Sequence, residues 1–242
     1  RAETALMPFA SKPNASLHYE TAGEGSAVIL LLPQSSGPQG RDGFVQEMAR
    51  RHQVVTYDQR GVGRSTPWAE PMSMEDQAED ALHVLDAAGI EHAHLVCHST
   101  GCGIGIALAE RAPDRASSLA LINPWTWGDA HLTTMQRLRI AAARGLAPRA
   151  YAEFNAALLF PPEYRREHEV GFSAIAERAL AHPHDAAAIE RRLEAILAFD
   201  ARDALASLTL PALVVGASDD QLMPAWFADE AGAALPNAAL VQ

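Results

Sequence analysis

Residues 94–110 read HLVCHSTGCGIGIALAE. An apolar run stops at Ser99, and a glycine-rich run with helical spacing starts at the next residue. A strand that becomes a helix with no loop between them narrows the choice of fold. Such a helix packs back on its own sheet, and strands joined in this way run parallel with right-handed crossovers.

The rest of the chain repeats that alternation. LHYETAG (17–23) alternates as a strand, and Ala27 to Leu32 is a short apolar run suited to one buried strand. DGFVQEMARR (42–51) reads as a helix, HQVVTYD (52–58) as a strand, and QRGVGRSTP as turns. SMEDQAEDALHVLDAAG (73–89) is a periodic helix, opened by a Ser73/Asp76 capping pair and stopped by Gly89. HAHLVC (92–97) is a strand, TGCGIGIALAERAP (100–113) a helix ended by Pro113, and ASSLALIN (116–123) a strand. From Trp125 to about Leu205 only helical patterns occur. LPALVVGAS (210–218) restores a strand, a helix follows over 224–236, and AALVQ (238–242) closes the chain as a strand. The expectation is an α/β fold: a mostly parallel sheet flanked by helices, formed by 1–124 and 206–242, with a helical lid over 125–205. A lid at the C-terminal edge of the strands would lie where such sheets bind ligands.

Composition excludes several classes. With 242 residues, 48% apolar, the chain can bury a full core. No apolar run approaches the ~18 residues of a membrane span, and the N-terminal RAETALMPFASKP has no apolar signal core. The chain starts at Arg1, so the natural N-terminus is expected to be missing or processed. The formal charge of −11 and the lack of a basic run argue against nucleic acid. The two cysteines, Cys97 and Cys102, are too few for a disulfide framework and suit the cytoplasm; they read as small apolar packers. No His/Cys/Asp/Glu spacing suggests a metal site.

Ser99 sits where a nucleophile elbow needs its serine, between a strand and a helix, with Gly101 and Gly103 beside it. The usual Gly-x-Ser-x-Gly reads Cys97-His98-Ser99-Thr100-Gly101 here. Strand alternation turns His98 away from the Ser99 hydroxyl. A carboxylate to orient a base is available after the last long strand, as Asp219 or Asp220.

These motifs resemble the α/β-hydrolase family. YDQRGVGRS (57–65) is similar to its turn after the fourth strand, Ser99 to its elbow, and GASDDQLMP (216–224) to its acid loop. In that loop the acid stands four residues before the proline, which selects Asp220. AAGIEHAHLVCHSTG, INPWTWGDAHLTTMQRLR and LFPPEY look most like the aminoacrylate hydrolases of bacterial pyrimidine utilisation, and next like 3-oxoadipate enol-lactonases. The resemblance implies a cofactor-free serine hydrolase of a small acyl, ester or lactone, carbamate or aminoacrylate-like substrate. For an aminoacrylate, water addition with loss of ammonia could replace acylation of Ser99. By position, the backbone N–H groups of Ser35 and Thr100 form the oxyanion hole, and Gln34 could offer an amide to the substrate. Trp125, Trp127, Phe154 and Phe160 are expected to line an apolar roof.

Two departures stand out. Pro33-Gln34 occupies the place where the family has His-Gly. And none of the ten histidines follows Asp220, although the family order is Ser, acid, His. The expectation is a truncated chain whose histidine lies beyond Gln242; His131, in the lid, is the first substitute if it does not. A non-catalytic small-molecule binding protein on the same fold is the alternative.

Overall fold

The computed structural model describes residues 8–33, 40–68 and 70–242. The elements run β1 (Phe9–Lys12), β2 (Ala15–Ala22), β3 (Ser26–Leu31), α1 (Asp42–Met48), β4 (His52–Tyr57), α2 (Met74–Ala87), β5 (Ala93–His98), α3 (Thr100–Arg111) and β6 (Ala116–Ile122). Six helices follow: α4 (Ala130–Gly145), α5 (Pro148–Leu159), α6 (Pro162–Glu167), α7 (Glu169–Ala181), α8 (Ala186–Ala198) and α9 (Arg202–Ser207). The chain then returns through β7 (Ala212–Val215), α10 (Ala225–Ala234) and β8 (Ala238–Val241).

The strands form one sheet in the order β1-β2-β4-β3-β5-β6-β7-β8. Only the β1–β2 and β2–β4 pairs are antiparallel; β4 through β8 run parallel, as the strand–helix alternation requires. The order reverses at β3: β4 lies on one side of it and β5 on the other. A crevice opens at such a reversal, beyond the carboxyl ends of the strands. Leu31 ends β3 and Ser99 follows β5, so both border it.

Helix α3 is the most deeply packed element. Every residue from Gly101 to Ala109 is buried, and two of its glycines let it settle on the sheet. A Cβ at Gly101 would be driven into the carbonyl oxygen of Leu31, and one at Gly105 into the Cys97 sulfur. The second contact explains why a cysteine is accepted at the first position of the elbow motif: the helix has no side chain opposite it. On the far side, a Cβ at Gly103 would meet Trp125 at 2.6 Å.

Helix α2 covers α3 and carries the expected capping box. Ser73 Oγ accepts from Asp76 N–H at 3.1 Å, and Ser73 N–H donates to the Asp76 carboxylate at 2.9 Å. Its buried Asp80 binds Lys12 at 2.6 Å and Arg60 at 2.7 Å. This pairing anchors the YDQRGVGRS turn, whose Gln59 amide donates to Leu32 O at 2.8 Å and so braces the end of β3.

The helices between β6 and β7 leave and re-enter the fold at one point. Ala201 N–H donates to Thr126 O at 2.7 Å. Among the described residues, no helix is long and apolar enough to cross a membrane.

The Cys97–Gly105 contact is testable by a double-mutant cycle. Gly105→Ala should lower stability by about 1–3 kcal/mol through overpacking. In a Cys97→Ala background, which removes the sulfur, the same change should cost less by at least ~1 kcal/mol. Urea denaturation of the four proteins measures both, and strictly additive effects would show that the sulfur does not set the limit.

Candidate active site

Ser99 is the hinge between β5 and α3, with φ 51° and ψ −119°. A left-handed conformation at a non-glycine residue costs on the order of 1–3 kcal/mol and persists only where its surroundings fix it. Here the fixing is visible: Ser99 N–H donates to Ile122 O at 2.9 Å, and Ser99 O accepts from Cys102 N–H at 2.7 Å. Gly101, pressed on Leu31, leaves the chain no wider turn.

Asn123 is the other non-glycine residue with positive φ among those described, at 48°. It ends β6 and ties the neighbouring strands together. Its N–H donates to Val215 O at 2.8 Å, and its side-chain amide donates to Asp220 Oδ2 at 2.5 Å. Asp220 Oδ1 accepts from the N–H groups of Leu222 and Met223, both at 2.8 Å. The carboxylate is therefore held on both oxygens. Asp219 is exposed and turned outward.

Ser99, Thr100, Asn123 and Asp220 line one cavity of about 340 Å³. Pro33, His98, Leu222 and Met223 complete its floor and wall. The helical insertion closes it with Arg139 from α4, Tyr151, Asn155 and Leu159 from α5, Phe160 just after it, and Ile189, Arg192, Leu193 and Ile196 from α8. Thr100 is the first residue of α3, where a backbone N–H has no acceptor within the helix.

Three of the expected roof aromatics lie elsewhere. Trp125 is fully buried between Gly103 and Phe199, with ring centroids 6.0 Å apart in the second pair. Trp127 stacks under the Arg202 guanidinium at 4.5 Å. Phe154 stacks on Tyr151 and packs into the core beside it. Phe160 alone of the four faces the cavity. Ser35 and Gln34 lie outside the described residues.

His98 also departs from expectation, because it lines the cavity beside Ser99. Alternation holds only while the backbone is extended, and Ser99 breaks it. Burial lowers the pKa of His98, and the nearby Asp220 partly restores it. Burial also raises both cysteine thiols above their ordinary value, so each stays protonated and packs as an apolar group.

No histidine among the described residues hydrogen-bonds to Ser99 or Asp220. His18 contacts Asp58, His52 Ser26, His94 Ser118 and His83 Ser11 O. His131 binds Gln221 O at 2.9 Å and meets Trp226 edge-on, while His168 and His184 bind Tyr164 O and Ala143 O. His92 and His182 are exposed. No group of His, Cys, Asp and Glu among the described residues could hold a metal ion.

Sequence reading missed Asn123, Arg139 and Arg192. Asn123 had a signal, a polar residue ending an apolar strand before Pro124. The arginines had none, since Arg139 shares its helix with Arg137 and Arg144 and Arg192 directly follows Arg191.

A family model for the alpha/beta hydrolase fold matches residues 31–242. A protein named as a carbamate hydrolase, RutD, in Azorhizobium caulinodans is 34% identical over 98% of this chain and 89% of that relative. Its namesake in Variovorax paradoxus is 36% identical over 86% of this chain and 80% of the relative. The enol-lactonase of Burkholderia xenovorans LB400 superposes with a TM-score of 0.85 at 26% identity, covering 97% of this chain and 90% of that one.

The environment of His98 makes stability pH-dependent in a defined direction. Its folded pKa lies below the ordinary 6.5, so the unfolded chain takes up the proton first as pH falls. Its contribution is fully present above pH 6.5 and is lost as pH drops from there through the folded value. Urea unfolding between pH 8 and 5 should show a smaller acid loss for His98→Asn than for the wild type, and equal slopes would contradict this.

Proposed function

Since this chain belongs to the α/β-hydrolase family, we propose that it is a serine hydrolase in which Ser99 is the nucleophile and Asp220 the acid of a Ser-His-Asp triad. The observation that carries the reading is the strained Ser99 turn, opening into the same cavity as a carboxylate fixed by three donors. Strain of this kind is retained where it exposes a hydroxyl to substrate.

In this reading a histidine imidazole stands between Ser99 and Asp220. It takes the serine proton as Oγ attacks a carbonyl carbon and passes it to the leaving group. Asp220 orients that imidazole and stabilises its cationic form. The free N–H of Thr100, together with that of Ser35, receives the negative charge that develops on the carbonyl oxygen. Water then releases the acyl group by the same path. The helices over 125–205 serve as the lid that shields these steps from bulk solvent.

The substrate is a small acyl compound: an ester or lactone, a carbamate, or an aminoacrylate-like molecule. Relatives named for carbamate hydrolysis and a structural neighbour named as an enol-lactonase both support this range. So does a cavity with room for on the order of ten waters' volume. No cofactor enters the scheme. Two unpaired thiols, both buried, fit a cytoplasmic protein.

A fluorophosphonate probe should label the protein at Ser99 and nowhere else. Labelling that persists in Ser99→Ala would remove the nucleophile from this reading. Asp220→Asn should depress turnover by on the order of 10⁴-fold, because the imidazole then adopts the wrong tautomer. Asp219→Asn, on the exposed side of the same loop, should have a far smaller effect. The reverse ranking in steady-state kinetics would exchange the two roles.

A further inference from the structure

Arg139 and Arg192 line the ceiling of the Ser99 cavity. They come from α4 and α8, which pack against each other. Neither has a carboxylate within 4 Å among the described residues, and both, unlike the other arginines without such a partner, line the cavity. Among the described residues, the one hydrogen bond Arg139 makes is from Nη1 to the Gln136 side chain, at 3.0 Å. Its Nε is buried with no partner. Arg192 makes neither a hydrogen bond nor an ion pair among the described residues.

Two partly buried cations lining one cavity, with no carboxylate paired to either among the described residues, are an unfavourable arrangement. Burial lowers the pKa of both. Besides each other, the ionisable groups that act on them are Tyr151 for both and, for Arg192, Asp185 and Arg191. Asp185 spends its carboxylate capping α8 through Ala188 N–H. Guanidinium groups stay charged at any physiological pH. In a chain with a net charge of −11, this is a local reversal of sign, and it faces the nucleophile across the cavity.

We propose that Arg139 and Arg192 form an anion subsite in the ceiling of the Ser99 cavity, so that the substrate is a small acyl compound carrying a free carboxylate remote from the carbonyl under attack. A carboxylate supplies the missing counter-charge, and a guanidinium binds it through two parallel N–H donors. The ligand's other end then lies toward Ser99 and Thr100. The inference rests on the hydrolase reading for the identity of the reacting end. The subsite itself does not need it.

Succinate is the binding probe, titrated calorimetrically into Ser99→Ala. It should bind, and adding Arg139→Gln or Arg192→Gln should weaken it on the order of tenfold each, as expected for loss of a charge-assisted bond. Arg192→Lys should retain part of what Arg192→Gln loses. Equal loss in both would assign Arg192 a packing role and overturn the proposal, as would unchanged affinity when both arginines are replaced. Circular dichroism and thermal melts accompany every variant.

The kinetic test compares monomethyl succinate with methyl 4-methylpentanoate, in which an isopropyl group replaces the carboxylate. Wild-type kcat/KM should favour the charged ester, and replacing both arginines should reduce the preference by at least about tenfold. If both esters are cleaved without preference and succinate does not bind, the subsite fails while the hydrolase stands. If neither ester is cleaved and the fluorophosphonate leaves Ser99 unlabelled, the hydrolase reading fails, and succinate binding alone decides the subsite.

Discussion

The close approach of α3 to the sheet governs this structure. Gly101 rests on the Leu31 carbonyl with no space for a side chain. That contact fixes how soon the chain must turn after β5. The turn can be made in one residue only if that residue adopts a left-handed conformation, and the residue is Ser99. The position of Ser99 thus follows from packing: burial of a whole face of α3 offsets a strained backbone of a few kcal/mol at most. The same closeness leaves the sulfur of Cys97 beside Gly105 and brings Trp125 under Gly103.

Much of the fold was legible because strand and helix leave different periods in the sequence. The runs at 27–32, 52–58, 92–97 and 210–218 each became a strand, and Ser73 capped its helix as its spacing to Asp76 indicated. The omissions were short elements. β1 has four residues, including a lysine and a serine, and pairs through a tight antiparallel hairpin. α6 and α9 have six residues each, too few for a helical period to repeat.

The site was legible where its chemistry is local. Ser99 directly follows an apolar strand and Asp220 lies in the loop after another, and both line the cavity at the carboxyl ends of those strands. The contacts made by the helices between β6 and β7 were not legible, because they depend on how α4, α5 and α8 roll against one another. Trp125 read as a roof residue because an aromatic after a strand end often is one, yet Gly103 offered it a deeper place. Arg139 and Arg192 went unread, since no local pattern distinguishes them from Arg137 or Arg191. His98 read as turned away because alternation was extended one residue past the point where the strand stops.

The hydrogen bond between Thr126 and Ala201 has a consequence for how such a protein can change. The long excursion begins and ends at a single doorway, closed by one backbone contact. The entropy of closing such a loop grows only with the logarithm of its length. The helices beyond the doorway nonetheless share one core with the sheet, because Leu132, Ile140, Tyr151, Leu193 and Ile196 belong to the same cluster as Leu31 and Cys97. The strand ends that carry Ser99, Asn123 and Asp220 and the helices over their cavity are thus separate stretches of one polypeptide joined through a common interior.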